Sequence, residues 1–277
     1  MRRFQLSRRA VLSLWLRRRI LVRSSNHQEK TTLSEKEIEI YTPDGTSDGL
    51  LYFEDGQRRP GVIFLTDIGG IRASQHQMAQ RLAEAGYTVL MPNVFYRTGK
   101  PPMFDFPFKI GDERFMKRVG ELSGPLTPDA VGRDVGAYVD FLAAQDSASG
   151  AKMGAVGFCF SGAVALRTAA ARTDHIGAAA SFHGGRLFTD SPDSPHLLLP
   201  RIKARLYFGH AVEDRSMPAE AIERLNHALE AWGGEYESEV YEGAHHGWTV
   251  PDNPSYDLPQ AERAFAKLTE LFAKTLG

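Results

Sequence analysis

Apolar positions along this chain change period in a regular way. Glu37 to Tyr41 alternates polar and apolar side chains, and Pro43-Asp-Gly45 separates it from a second such run, Gly49 to Phe53, which predicts a hairpin. Gly61 to Leu65 is apolar throughout, as a strand covered on both faces must be. Helical periodicity over Ser74 to Ala85, stopped by Gly86, predicts an amphipathic helix, and a strand pattern returns at Tyr87 to Met91. The exchange continues with a helix over 129–144, a strand over 152–158, a helix over 161–172, strands over 176–182 and 203–209, a helix over 218–231, a strand over 236–241 and a helix over 259–276. Strands alternating with helices predict one α/β domain over residues 34–277, with a mostly parallel, doubly wound sheet flanked by helices. Thr98 to Thr127, rich in Pro, Gly and Phe, is expected to be irregular and to form a wall or lid over a site. The chain has no internal repeat.

Chemistry concentrates where the 152–158 strand meets its helix. Met153-Gly-Ala-Val-Gly-Phe-Cys-Phe-Ser-Gly162 holds the one cysteine of the chain, Cys159, at a strand-to-helix elbow, with Gly157 and Gly162 small enough for the backbone to close. Ser161 stands two residues into the helix and is a poor nucleophile. The N–H of Phe160 would face an oxyanion, and the helix dipole favours a thiolate at Cys159. The competing reading is an inert, buried thiol. An elbow hydrolase orders its triad nucleophile, acid, histidine, each after a strand. Asp214 follows the 203–209 strand, and Glu242-Gly-Ala-His-His-Gly-Trp248 follows the 236–241 strand.

These segments resemble the dienelactone hydrolase (carboxymethylenebutenolidase) family of α/β-hydrolases. The likeness runs from about Glu35 to the C-terminus and includes the G-x-C-x-x-G elbow, the G-x-x-x-D loop, G-x-H-H-G-W, and Thr66-Asp-Ile-Gly-Gly70. It implies an α/β-hydrolase fold, hydrolysis of a small ester or lactone, and a Cys-His-Asp triad working through a thioester. The nucleophile falls on Cys159, the acid on Asp214 and the base on His246, with His245 second. The oxyanion donors fall on the N–H groups of Phe160 and Ile68. A family Glu that helps activate the thiol is here the shorter Asp67. One of two carboxylate-binding arginines matches Arg97, and the other falls on Val250. The resemblance thus supports ester or lactone hydrolysis more firmly than action on dienelactone itself, and neutral or singly anchored esters and lactones are expected to be turned over at least as well. No cofactor is implied, and the expected assembly is a monomer or homodimer. His183, in His183-Gly184-Gly185, receives no role.

Two rival readings stay open: a non-catalytic relative that binds a small molecule, and a redox-sensing thiol, the latter without a resolving cysteine. A single cysteine makes an intrachain disulfide impossible and suits a cytoplasmic setting. Neither zinc-site spacing nor a P-loop is present, since Asp67-Ile-Gly-Gly-Ile-Arg72 lacks the Lys-Ser/Thr ending. The net charge of −1 conceals an asymmetry: residues 1–33 hold nine basic side chains against Glu29 alone, leaving +8 there and −9 in the rest. Within them, Ala10 to Leu16 is too short an apolar run to span a bilayer. This leader is expected to be a disordered extension upstream of a true start near Ser34; a basic arm for a membrane surface or nucleic acid is the runner-up. Nucleic-acid partners and stable membrane insertion are not expected.

Overall fold

Side chains on both faces of the central strands are apolar, so the sheet has to be covered twice. In the computed structural model, which describes residues 18–21, 32–107 and 111–276, this is how the helices are used. The strands are β1 (Arg18–Leu21), β2 (Thr32–Thr42), β3 (Gly45–Glu54), β4 (Arg59–Leu65), β5 (Thr88–Pro92), β6 (Ala148–Phe158), β7 (Ile176–Phe182), β8 (Arg205–His210) and β9 (Tyr236–Val240). They form one sheet in the order β1-β2-β3-β5-β4-β6-β7-β8-β9. From β5 to β9 every pairing is parallel, while β1, β2 and β3 join antiparallel at one edge. The fold is that of an α/β-hydrolase.

Helices α1 (Ala73–Glu84) and α6 (Leu258–Leu276) cover one face, where Leu82, Leu268 and Phe272 pack on Val62, Phe64, Val156 and Phe158. On the other face α3 (Pro128–Ala143), α4 (Ser161–Ala171) and α5 (Ala219–Trp232) pack Val139, Leu166 and Leu225 against Ile63, Leu65, Leu206 and Phe208. Successive residues of β4 thus serve opposite cores, which is why its sequence reads as an unbroken apolar run.

The expected hairpin forms in register, with Thr42 opposite Gly45 and Ile38 opposite Gly49. The segment read as irregular contains a helix, α2 (Glu113–Ser123), started by Asp112, whose carboxylate accepts the Phe115 N–H at 2.6 Å. Only Phe115 and Leu122 of α2 are buried, so its periodic signal is thin. A 3-10 helix at Pro195–Arg201 was likewise not expected. Within the leader, Arg18–Leu21 pairs antiparallel with β2, and the run from Ala10 to Leu16 lies outside the described residues.

Packing at the end of β6 yields a test of opposite signs. A Cβ on Gly157 would stand 2.0 Å from the backbone oxygen of Ser161, whereas one on Gly136, in α3, would meet nothing within 4 Å. Gly157→Ala is expected to cost at least about 3 kcal/mol. Gly136→Ala should instead add about 0.5–1 kcal/mol by stiffening a helix interior. Urea unfolding of the two variants checks both.

Candidate active site

Two connections leave β4 and its neighbour β6 in opposite directions: β4 runs through α1 to β5, on the far side of β4 from β6. A crevice opens at the carboxyl ends of such strands. Into it come the turn after β4 and the elbow after β6. Phe158 ends β6, Cys159 takes φ 58°, and Phe160 precedes the first turn of α4 in helical conformation. Cys159 is partly exposed, whereas Ser161 is wholly buried. The Ser161 hydroxyl accepts the Phe158 N–H at 3.0 Å and lies 2.8 Å from the carbonyl oxygen of Leu65, so it fastens the elbow to the end of β4. In the β4 turn the Gly69 and Gly70 N–H groups donate to the Asp67 side chain and carbonyl, at 2.9 and 3.0 Å. The N–H groups of Ile68 and Phe160 meet no acceptor among the described residues.

Asp214, after β8, is buried. Its Oδ2 accepts from His246 Nδ1 at 2.6 Å, and its Oδ1 accepts the Ser216 N–H at 2.8 Å and the Ser216 hydroxyl at 2.7 Å. Burial alone would raise this carboxyl, but His246 and Ser216 hold it at about 2. Burial likewise works against a charge on His246. The hydrogen bonds to Asp214 and Cys159 prevail and lift it to about 10. With Nδ1 committed to Asp214, the other ring nitrogen is the one left for Cys159. His245 is exposed and lies outside this chain of contacts.

Residues that the sequence did not assign complete the surroundings. Ser216 holds Asp214 Oδ1 through both its N–H and its hydroxyl. His183, fully buried, receives the Cys159 N–H on Nδ1 at 3.1 Å, and its Nε2 is 2.8 Å from the Thr249 hydroxyl. Burial first, and then the charge on His246, push His183 well below the usual imidazole range. Ser216 sits two residues after the acid, a spacing that suits a side chain to turn back on it. Nothing in the sequence joins Thr249 to a histidine 66 residues away.

Asp67 and Arg97 are engaged elsewhere. Arg72 grips Asp67 with both terminal nitrogens, at 2.6 and 2.9 Å, and also reaches Asp252. With Gly69 as well, both Asp67 oxygens have donors, and the carboxylate holds the turn that contains Ile68. The terminal nitrogens of Arg97 bind Asp134, at 2.6 and 2.8 Å, and Asp44 at 2.6 Å. Val250 is fully buried.

A cavity of about 220 Å³ lies between α1, α6 and the sheet. Phe158, Phe182 and Thr249 wall it, which places it one side-chain layer behind the elbow, away from Cys159. Met103 presses on the β4 turn, where a Cβ on Gly70 would come within 2.5 Å of its side chain. No cluster of His, Cys, Asp or Glu among the described residues could hold a metal ion. None of the described helices is long and apolar enough to cross a membrane.

Residues 47–276 match the dienelactone hydrolase family. The chain belongs to that family. A relative from Escherichia coli named "Putative carboxymethylenebutenolidase" is 28% identical over 79% of this chain and 78% of its own length. Hydrolase tropI of Talaromyces stipitatus is 30% identical over 88% of this chain and 89% of its own. Among solved structures, a dienelactone hydrolase-like promiscuous phosphotriesterase from metagenomic libraries superposes with a TM-score of 0.73 at 22% identity, covering 88% of this chain and 99% of that one. Membership makes this dienelactone hydrolase family protein a hydrolase.

The histidine pair and the charges generate two measurements. His246→Gln should lower ester turnover by at least about 10³-fold, in line with loss of a triad member, while His245→Gln stays within about threefold. A larger loss from His245→Gln would reverse the assignment. Because the folded protein holds His246 at about 10, above the usual 6.5, its charged form stabilises the fold. That contribution is present in full below about pH 6.5 and is lost as pH rises through about 10. Chemical unfolding across this range should show the decline in wild type and a flatter profile in His246→Gln.

Proposed function

We propose that this hydrolase cleaves a small carboxylic ester or lactone through Cys159, His246 and Asp214, with a thioester intermediate. The observation that carries the reading is the continuous chain from Asp214 through His246 to Cys159, set beside two N–H groups that have no acceptor. A free thiol titrates near about 8.5 and needs a base or a cation to ionise at neutral pH. His246 serves first as that base, and the resulting imidazolium stands beside the thiolate. Attack of the sulfur on the carbonyl carbon forms a C–S bond and an oxyanion. The Phe160 and Ile68 N–H groups receive it, at about 3–4 kcal/mol per donor in comparable sites. Collapse expels the alkoxide, which takes its proton from His246 and departs as the alcohol. The acyl group remains as a thioester on Cys159.

Deacylation follows from the same electrostatics. Once the sulfur is acylated, the anion that helped to hold His246 protonated is gone, while the burial that opposes its charge remains. The imidazole is then a competent base at neutral pH. It removes a proton from water, hydroxide adds to the thioester carbonyl, and the C–S bond breaks to release the acid and restore the thiolate–imidazolium pair. Asp214 fixes the ring and balances its charge throughout. Asp67, held by Arg72, supports the oxyanion turn in this scheme and does not exchange protons with the thiol. A reducing, cytoplasmic setting suits a lone reactive thiol.

The substrate proposed is neutral. Val250 offers no cation, and an anion seeking Arg97 would compete with Asp134 and Asp44. Arg97→Ala is therefore expected to destabilise the fold by about 3 kcal/mol, since it strands the buried Asp134, and to affect neutral and carboxylate-bearing esters alike. A rise in KM confined to carboxylate-bearing esters would restore substrate anchoring to Arg97.

Alkylation tests the nucleophile directly. Brief iodoacetamide treatment should add one carbamidomethyl group, at Cys159, and abolish hydrolysis of aryl esters and lactones. Full activity in completely alkylated protein would overturn the proposal.

A further inference from the structure

We infer that His183 is a positioning residue for the nucleophile: its neutral imidazole fixes the backbone of Cys159 from outside the elbow and ties it to the loop that carries His246. The inference rests on the reading of Cys159 as nucleophile. The Cys159 N–H is shared between two acceptors at the end of β7, the Phe182 carbonyl at 3.2 Å and His183 Nδ1 at 3.1 Å. The Cys159 carbonyl accepts from Gly185, in the same segment, at 3.3 Å. Residues 182–185 therefore bracket the one peptide unit whose left-handed conformation aims the sulfur.

Tautomer follows from donor and acceptor. A ring nitrogen that accepts an N–H carries no proton, so the proton of His183 sits on Nε2 and is donated to the Thr249 hydroxyl at 2.8 Å. Thr249 lies three residues beyond His246. The His183 ring also meets the His246 ring edge-on, with centroids 5.1 Å apart, and the Trp248 ring at the same separation. One side chain thus touches the nucleophile's backbone, the base's ring and the base's loop. His183 is itself pinned by its own N–H, donated to Gly209 of β8 at 2.7 Å, and it takes a positive φ of 39°. Its ring is wholly buried and contacts no reacting atom, so its influence passes through Cys159 and His246.

The acceptor at Nε2 decides the function of Nδ1. Without Thr249 Oγ1, the buried Nε2–H has no acceptor, and the ring loses the contact that fixes its orientation and keeps Nδ1 aligned on the Cys159 N–H. Thr249→Val creates that situation with little change of shape, and Thr249→Ser restores the hydroxyl. Thr249→Val is expected to lower kcat about tenfold and slow iodoacetamide alkylation of Cys159 in parallel, with KM within about threefold, and Thr249→Ser to recover most of both. His183→Phe, which keeps a ring and loses both hydrogen bonds, should lower kcat about a hundredfold. At neutral pH, nitrogen NMR of histidine-labelled protein should find His183 protonated on Nε2 and bare on Nδ1. A protonated Nδ1, equal losses in Thr249→Val and Thr249→Ser, or wild-type kcat in Thr249→Val would overturn the inference. If His183→Phe does not fold, the Thr249 pair decides alone. Cys159→Ala separates the two readings: retained ester hydrolysis there defeats the nucleophile assignment, whereas an inactive Cys159→Ala beside a fully active Thr249→Val defeats only the role of His183.

Discussion

A strand can run directly into a helix and still leave a side chain at the apex only if one residue between them turns left-handed. In this chain that residue is Cys159, at φ 58°. For a residue with a Cβ the conformation costs about 1–3 kcal/mol, so the surroundings have to over-determine it. They do so by exclusion and by bonding. Gly157 has no side chain because the Ser161 carbonyl occupies the space, and Gly162 has none because Ser181 and Gly184 of the neighbouring strand end press against α4. Ser161 then spans the gap between the elbow and β4 with a single hydroxyl. The same hydroxyl ties the elbow to the end of β4, from which the turn carrying Ile68 starts. The placement of Cys159 at the apex is a consequence of this backbone constraint.

Electrostatics around the elbow is a contest between burial and partners. Burial penalises the charges on Asp214 and His246, yet each is held charged by the other and by a further neighbour: Ser216 for the acid, Cys159 for the base. His183, 5.1 Å from His246 but without a carboxylate, goes the other way and stays neutral. Two imidazoles in van der Waals contact thus take opposite protonation states because only one faces an anion. The arrangement is self-consistent, since a second positive ring would oppose the first and would also deprive the Cys159 N–H of an acceptor.

What was legible in the sequence is what strand and helix periods and short-range geometry encode. The apolar runs of β4 to β8, the hairpin between β2 and β3, and the positions of Cys159 after β6, Asp214 after β8 and His246 after β9 all depend on neighbours within a few residues. α2 escaped because it buries only two side chains, which leaves no stripe to read. Thr249 and His183 escaped for a different reason: their hydrogen bond joins strand ends 66 residues apart, and neither residue type announces such a partner. Asp67 and Arg97 show the limit of reading a residue by its position. Each stands where the resemblance puts it, but a partner at another point of the chain decides what its charge is used for.

Those partners share a consequence. At the carboxyl end of β4, Arg72 is balanced by Asp67 and Asp252; beyond β5, Arg97 is balanced by Asp134 and Asp44. Guanidinium groups satisfied bidentately by carboxylates have little to offer a further anion, and displacing a buried carboxylate leaves it without compensation. The four carboxylates thereby fix the loops after β4 and β5, the first of which carries Ile68 and the second of which leads into the segment from which Met103 presses on the β4 turn. In this chain the charges of Arg72 and Arg97 are spent on holding these loops at the mouth of the crevice. On the proposed mechanism, neutral acyl substrates, which ask only for the thiolate, the imidazole and two N–H groups, lose nothing by that arrangement.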